Sequence, residues 1–148
     1  PSWTRAAPHQ PETSESPEIH IPDTGSLEED LHLLMERAVK TYRGRPGKIM
    51  PGLVAAMADS AAVARAVRTR FLTDRRRALA AVIDRAVARG ELAMDVDEEL
   101  ALDFLGGPLF YRLLVTGGPL DDALVDGVVR LMLHGMPKPE SPNMEDDS

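Results

Sequence analysis

A chain of 148 residues has room for one domain with a proper core, the commonest size class for a single domain. It holds no cysteine, which excludes disulfides and thiolate chemistry and fits a cytoplasmic protein; it also lacks the apolar run of about 18 residues that a membrane span needs and the basic-then-apolar start of a secretory signal. The net charge of -7 sits at the ends, one Arg against four acids in residues 1–25 and one Lys against four in 136–148, so the near-neutral middle has no strong footprint for nucleic acid.

Residues 1–25 carry Pro1, Pro8, Pro11, Pro17 and Pro22 among polar residues and a single Trp3, a composition that reads as linker or disordered segment. Ser26 then opens the body as an N-cap, with Glu29 completing a capping box. Leu27, Leu31, Leu34, Met35, Ala38, Val39 and Tyr42 recur at helical spacing, and Gly44, Pro46 and Gly47 close a first helix over about 27–43. A second helix carries Ile49, Leu53, Val54 and Met57, with Pro51 expected in its first turn, and ends near Asp59. From Ala61 to Arg89 there is neither Gly nor Pro, so one long helix of roughly 40 Å is the economical reading, with Leu72-Thr73-Asp74 as the place where it would divide in two. Gly90 is its stop.

Asp97 caps the next helix, whose first-turn Glu98 and Glu99 suit the positive end of the helix dipole. It runs through Phe104, Leu109 and Tyr111 to Gly117-Gly118-Pro119, with Gly106-Gly107-Pro108 inside it as either a kink or the start of a new segment. A last helix from Asp121 to about His134 has two adjacent apolar stripes, Leu124, Val128, Leu131 and Val125, Val129, Met132. Residues 136–148 read as an acidic tail. The domain plan is therefore a linker (1–25), a helical body (26–135) and a tail (136–148).

Four segments stand in order along this body: Ile21-Pro22-Asp23-Thr24-Gly25-Ser26-Leu27; Arg89-Gly90-Glu91-Leu92 with Asp95-Val96-Asp97; Gly107-Pro108-Leu109-Phe110-Tyr111-Arg112-Leu113-Leu114; and Val115-Thr116-Gly117-Gly118-Pro119-Leu120-Asp121. As an ordered set they resemble the C-terminal effector-binding and dimerisation domain of the tetracycline-repressor (TetR) family of transcription regulators. The resemblance implies an all-α bundle of five to six helices, including one long helix and a dimerising helix pair. It implies a homodimer with Leu109, Leu113, Leu124, Val125, Val128, Val129 and Met132 at the interface. It also implies a cavity for a small apolar or aromatic effector, for which Met35, Met57, Phe71, Phe104 and Tyr111 are the large flexible or aromatic candidates. DNA would be read by a helix-turn-helix outside this chain.

The four histidines show no metal-ligand spacing, the acids around Asp97 are explained by capping, and no nucleotide or hydrolase motif occurs. No metal, cofactor, catalytic residue or membrane contact is expected, and an enzyme is not. Arg75-Arg76-Arg77 reads as a solvated helix face, because consecutive helical residues point about 100° apart. The competing reading is a stand-alone helical dimerisation protein with neither ligand nor DNA.

Overall fold

The computed structural model describes residues 20–139. The described residues form five α-helices and no strand: α1 (Leu27–Arg43), α2 (Arg45–Asp59), α3 (Ala61–Ala88), α4 (Glu98–Tyr111) and α5 (Asp122–His134). A π-helical turn, Arg112–Thr116, prolongs α4. The all-α expectation holds. The linker and acidic-tail readings for 1–19 and 140–148 lie outside the described residues.

Each helix begins and ends for a legible local reason. Ser26 accepts from the Glu29 N–H at 3.4 Å, but the reciprocal half of the capping box does not form. Ser26's own N–H donates instead to Thr24 Oγ1 in the preceding turn, and the Leu27 N–H donates to Glu91 Oε2 at 2.9 Å. Gly44 alone separates α1 from α2, so α2 starts at Arg45 with Pro46 in its first turn. Pro51 therefore falls inside α2 rather than in that turn, leaving the Gly47 carbonyl without the bond a non-proline residue would donate.

α3 is a single helix of 28 residues; at the expected division Thr73 turns its hydroxyl back to the Thr69 carbonyl and the helix continues. It stops in a Schellman arrangement, in which the Gly90 N–H donates to Val87 O (3.0 Å) and the Glu91 N–H to Ala86 O (2.9 Å). Gly90 takes φ +81° there, a left-handed conformation that glycine adopts without a Cβ penalty. α4 runs through Gly106-Gly107-Pro108 without a new start. Asp97 and Asp121 cap α4 and α5 as their positions predict, each accepting from the N–H three residues on at 3.0 Å.

The core is assembled from one face of α1 (Leu27, Leu31, Met35, Val39, Tyr42), the C-terminal half of α3 (Leu79, Val82, Ile83, Ala86), Leu105 and Leu109 of α4, and Leu124, Val125, Val128 and Val129 of α5. α5 packs between α1 and α4, so both of its apolar stripes face this chain's own core except at Leu131, which is exposed. The packed body also starts earlier than Ser26. Pro22 is fully buried, its carbonyl accepts from Arg85 at 3.0 Å, and Asp23 pairs with Arg85 at 3.0 Å.

Two predictions follow from this packing. Val129 is 0 % exposed, so Val129→Asp buries an unpaired charge; the cooperative thermal transition should be lost at neutral pH, and a folded variant that had merely lost an oligomer would contradict the assignment. Glu91 is held below the ordinary carboxylate range by the Leu27 N–H first and Arg89 second. A depressed folded-state pKa stabilises at and above neutral pH and loses that contribution as pH falls through it. Glu91→Gln should therefore melt below wild type at pH 7, and the gap should narrow as pH falls below the ordinary Glu value of about 4.3.

Candidate functional site

The close junction of α1 and α2 sets up the site. A Cβ on Gly47 would lie 1.8 Å from the Tyr42 carbonyl oxygen and 3.4 Å from Leu113 Cδ1, so only glycine lets α2 fold back this tightly over the end of α1. That approach fixes Tyr42, 3 % exposed, against the middle of α3 and the end of α4.

Three aromatic rings meet there. Tyr42 and Phe110 lie edge to face at 5.0 Å between centroids, and Phe71 is 6.2 Å from Tyr42 and 6.4 Å from Phe110. Phe71 and Arg75 are one helical turn apart on α3, so they share a face. The Arg75 guanidinium carbon stands 3.9 Å over the Phe71 ring centroid and 5.2 Å from that of Tyr42, a cation–π arrangement. Arg75 also donates to the Tyr42 hydroxyl. Burial raises the Tyr42 phenol above its ordinary value, and the Arg75 hydrogen bond and charge oppose it; the hydroxyl keeps its proton at neutral pH.

Beside this cluster lies a hollow of about 400 Å³ walled by α1, α3 and α4. Its apolar lining includes Leu34, Met35, Leu79, Leu102, Leu105 and Leu109, and its polar lining is Arg37, Thr41, Tyr42 and Arg75 with His20. A mostly apolar cleft of this size with a few convergent polar groups is the usual form of a small-molecule site. A second hollow of about 340 Å³ lies nearer the other end of the bundle, between Leu27, Ile83, Val96, Phe104 and Met132.

The effector candidates read from the sequence separate. Met35 lines the larger hollow, and Phe71 joins the ring cluster beside it. Phe104 borders the smaller hollow and is 61 % exposed, and Tyr111 is 60 % exposed and borders neither. Met57 is half-buried and lines neither. The interface candidates Leu109, Leu124, Val125, Val128 and Val129 are buried in this chain's core, and Leu113 and Met132 pack against it. What stands free instead is Leu100, Phe104, Tyr111, Leu114 and Val115 along α4 and its π-helical turn, with Leu131 on α5.

Sequence reasoning missed Tyr42, Phe110 and Arg75 as site residues. Tyr42 read as ordinary core and Arg75 as solvated surface. The available signal was the Phe71/Arg75 spacing of four, which puts a cation over an aromatic face. Of the three consecutive arginines, Arg75 turns inward, Arg76 pairs with Glu99 at 2.7 Å, and Arg77 is exposed.

An all-helical domain with an apolar cleft edged by two arginines has the general form of a small-molecule binding domain, and its similarity to known proteins narrows the class. Residues 21–132 match the model of the tetracyclin repressor-like C-terminal domain. This chain belongs to that family of TetR-type regulator domains. It is 30% identical over 118 residues to the uncharacterized HTH-type transcriptional regulator YdeS of Bacillus subtilis, covering 80% of this chain and 60% of that protein. It is 35% identical over 116 residues to the DNA-binding transcriptional repressor TetR of Mycobacteroides abscessus, covering 76% and 60% respectively. The crystal structure of the TetR family transcription regulator SCO0332 superposes with a TM-score of 0.73 at 31% identity, over 80% of this chain and 65% of that one. The chain thus spans about 60% of the length of these two curated relatives.

Gly47→Ala tests the junction that positions the site. The added methyl collides with backbone, which a side-chain rotation cannot relieve, so a loss at or above the roughly 1–3 kcal/mol usual for overpacking is expected. Denaturant unfolding measures it, and a change within about 0.5 kcal/mol, the range of neutral surface substitutions, would refute the close approach.

Proposed function

We propose that this chain is the effector-binding and homodimerising domain of a TetR-type transcriptional regulator, with operator reading supplied by a helix-turn-helix segment other than the residues described here. The observation that carries this reading is the apolar hollow between α1, α3 and α4, in a domain whose relatives are named as transcriptional regulators.

A second copy of the chain is the partner that fits the free apolar face. Phe104 stands four residues beyond Leu100, Tyr111 two turns further on at seven, and Leu114 and Val115 three and four residues beyond Tyr111, which makes one stripe along the helix. Gly107 lies in the same stripe with open space where its Cβ would be, so a facing helix can come close. Leu131 adds apolar surface from α5. Two such stripes crossing each other bury both, and the helices that donate them are the dimerising pair that the family resemblance implies.

α4 couples the two activities. Its Leu105 and Leu109 line the hollow while its Phe104 and Tyr111 belong to the outer stripe. An effector that fits the hollow better in one α4 position than in another shifts the population toward that position, and two copies joined through α4 change their relative orientation with it.

Light scattering should give a dimer for the wild-type chain. Phe104→Glu should give a monomer with unchanged helical circular dichroism, since the side chain is exposed within the single chain. A wild-type monomer, or an unchanged dimer in the variant, would sink the interface. Thermal shift against apolar and aromatic compounds tests the sensor role: a ligand at a hundredfold excess over its Kd adds about 2.7 kcal/mol and several degrees in Tm. A melting temperature that no compound moves would favour the stand-alone dimerisation protein.

A further inference from the structure

The polar lining of the larger hollow is one-sided in charge. Arg37 and Arg75 reach it alongside the His20 imidazole, and among the described residues no Asp or Glu does. Arg75 is half-buried, and its hydrogen-bonding partner is a neutral phenol. The ion pairs of the described residues are His32 with Asp126, Arg76 with Glu99, Arg85 with Asp23 and Arg89 with Glu91, so Arg75 has no carboxylate partner among them. Ring faces offer a guanidinium some compensation, but they do not neutralise it, and its fork of N–H donors matches a carboxylate or a similar planar anion in two parallel bonds. Arg37, in contrast, is occupied in bonding the His20 carbonyl.

Tyr42 adds the complementary donor. Its hydroxyl oxygen accepts from Arg75, which leaves the hydroxyl proton free to be donated to an acceptor in the hollow. The rest of the lining is aliphatic. A water-sized group takes up about 30 Å³, so about 400 Å³ holds roughly a dozen non-hydrogen atoms.

We propose that this hollow takes an amphipathic organic anion, with a single carboxylate or like-charged head on Arg75 and Tyr42 and an apolar body of roughly ten carbons against α1, α3 and α4. The proposal rests on the reading of the hollow as an effector site and specifies its ligand class. The basic edge selects the charge, and the aliphatic walls of the cleft select the body.

Isothermal titration calorimetry with decanoate, 1-decanol and decylamine, three probes of matched chain length, tests it on the full chain at neutral pH. Decanoate should bind at least tenfold more tightly than 1-decanol, and decylamine more weakly than either. Arg75→Gln should weaken decanoate at least tenfold more than it weakens 1-decanol, whereas Arg75→Lys keeps the charge and should retain most of the preference. Should Arg75→Gln fail to fold by circular dichroism, the wild-type probe series and Arg75→Lys decide the matter. Equal binding of decanoate and 1-decanol, or decanoate binding indifferent to Arg75→Gln, overturns the anion proposal and leaves the effector site standing. Binding of none of the three, together with no melting shift from any apolar compound, overturns both.

Discussion

The contact between Gly47 and the Tyr42 carbonyl brings three parts of the chain to one place, because the same missing side chain that lets α2 fold back also leaves room for Leu113 of the π-helical turn. α1 thus ends where α2 begins, with Gly44 the sole residue between them, and Tyr42 is held at the junction rather than on a free helix end. Its ring then sets the positions of Phe71 and Phe110, and its hydroxyl sets that of Arg75. The wall of the hollow facing α3 and α4 is a consequence of that sequence of contacts. A helix pair joined by a longer, looser connection would leave the ring cluster without a fixed member.

Much of the architecture was legible because it depends on local chemistry. Ser26, Asp97 and Asp121 cap the helices they head, and Gly90 stops α3, since a cap needs only a side chain within three residues of its target. The start of α2 was not, because Gly44-Arg45-Pro46 reads as a terminator when in fact the chain needs a single residue to turn. Burial on α5 was not legible either. Its two stripes look like one inward and one outward face until α1 and α4 are seen on either side of it, and only then does the free surface move to Phe104, Tyr111 and Leu114. The role of Arg75 depends on Tyr42 and Phe110, which lie 33 and 35 residues away in the sequence, and no local pattern reports such distances.

α4 carries an unusual composition for an element that borders the hollow on one side and bears the free apolar stripe on the other. Each interior glycine costs about 1 kcal/mol relative to alanine and an interior proline about 3, yet Gly106-Gly107-Pro108 lies within a continuous helix. The two glycines sit differently. Gly106 borders the hollow, where a Cβ would meet the Phe110 ring at 3.8 Å, an ordinary contact that would nonetheless take space from a ligand. Gly107 faces open space on the outer stripe. The helix gives up propensity on both faces at one level, and Pro108 then removes the hydrogen bond to the Phe104 carbonyl at that same level. A helix weakened there, and ending in a π-helical turn of the kind often found at functional sites, is one whose position neighbouring contacts can bias.

The placement of charge separates this hollow from a nucleic-acid surface. A DNA-binding face spreads many exposed cations so that each meets a phosphate and releases a counterion. Here the six arginines between Arg65 and Arg77 go separate ways around one helix, and of the consecutive three Arg76 is paired and Arg77 solvated. Arg75 alone is withdrawn toward an apolar space. A cation in that setting attracts an anion more strongly than it would in water, because less solvent screens the pair, and it does so for one ligand at a time. That placement fits the proposed effector site better than a nucleic-acid face, and it agrees with a body whose 15 basic and 16 acidic residues between positions 26 and 135 nearly cancel.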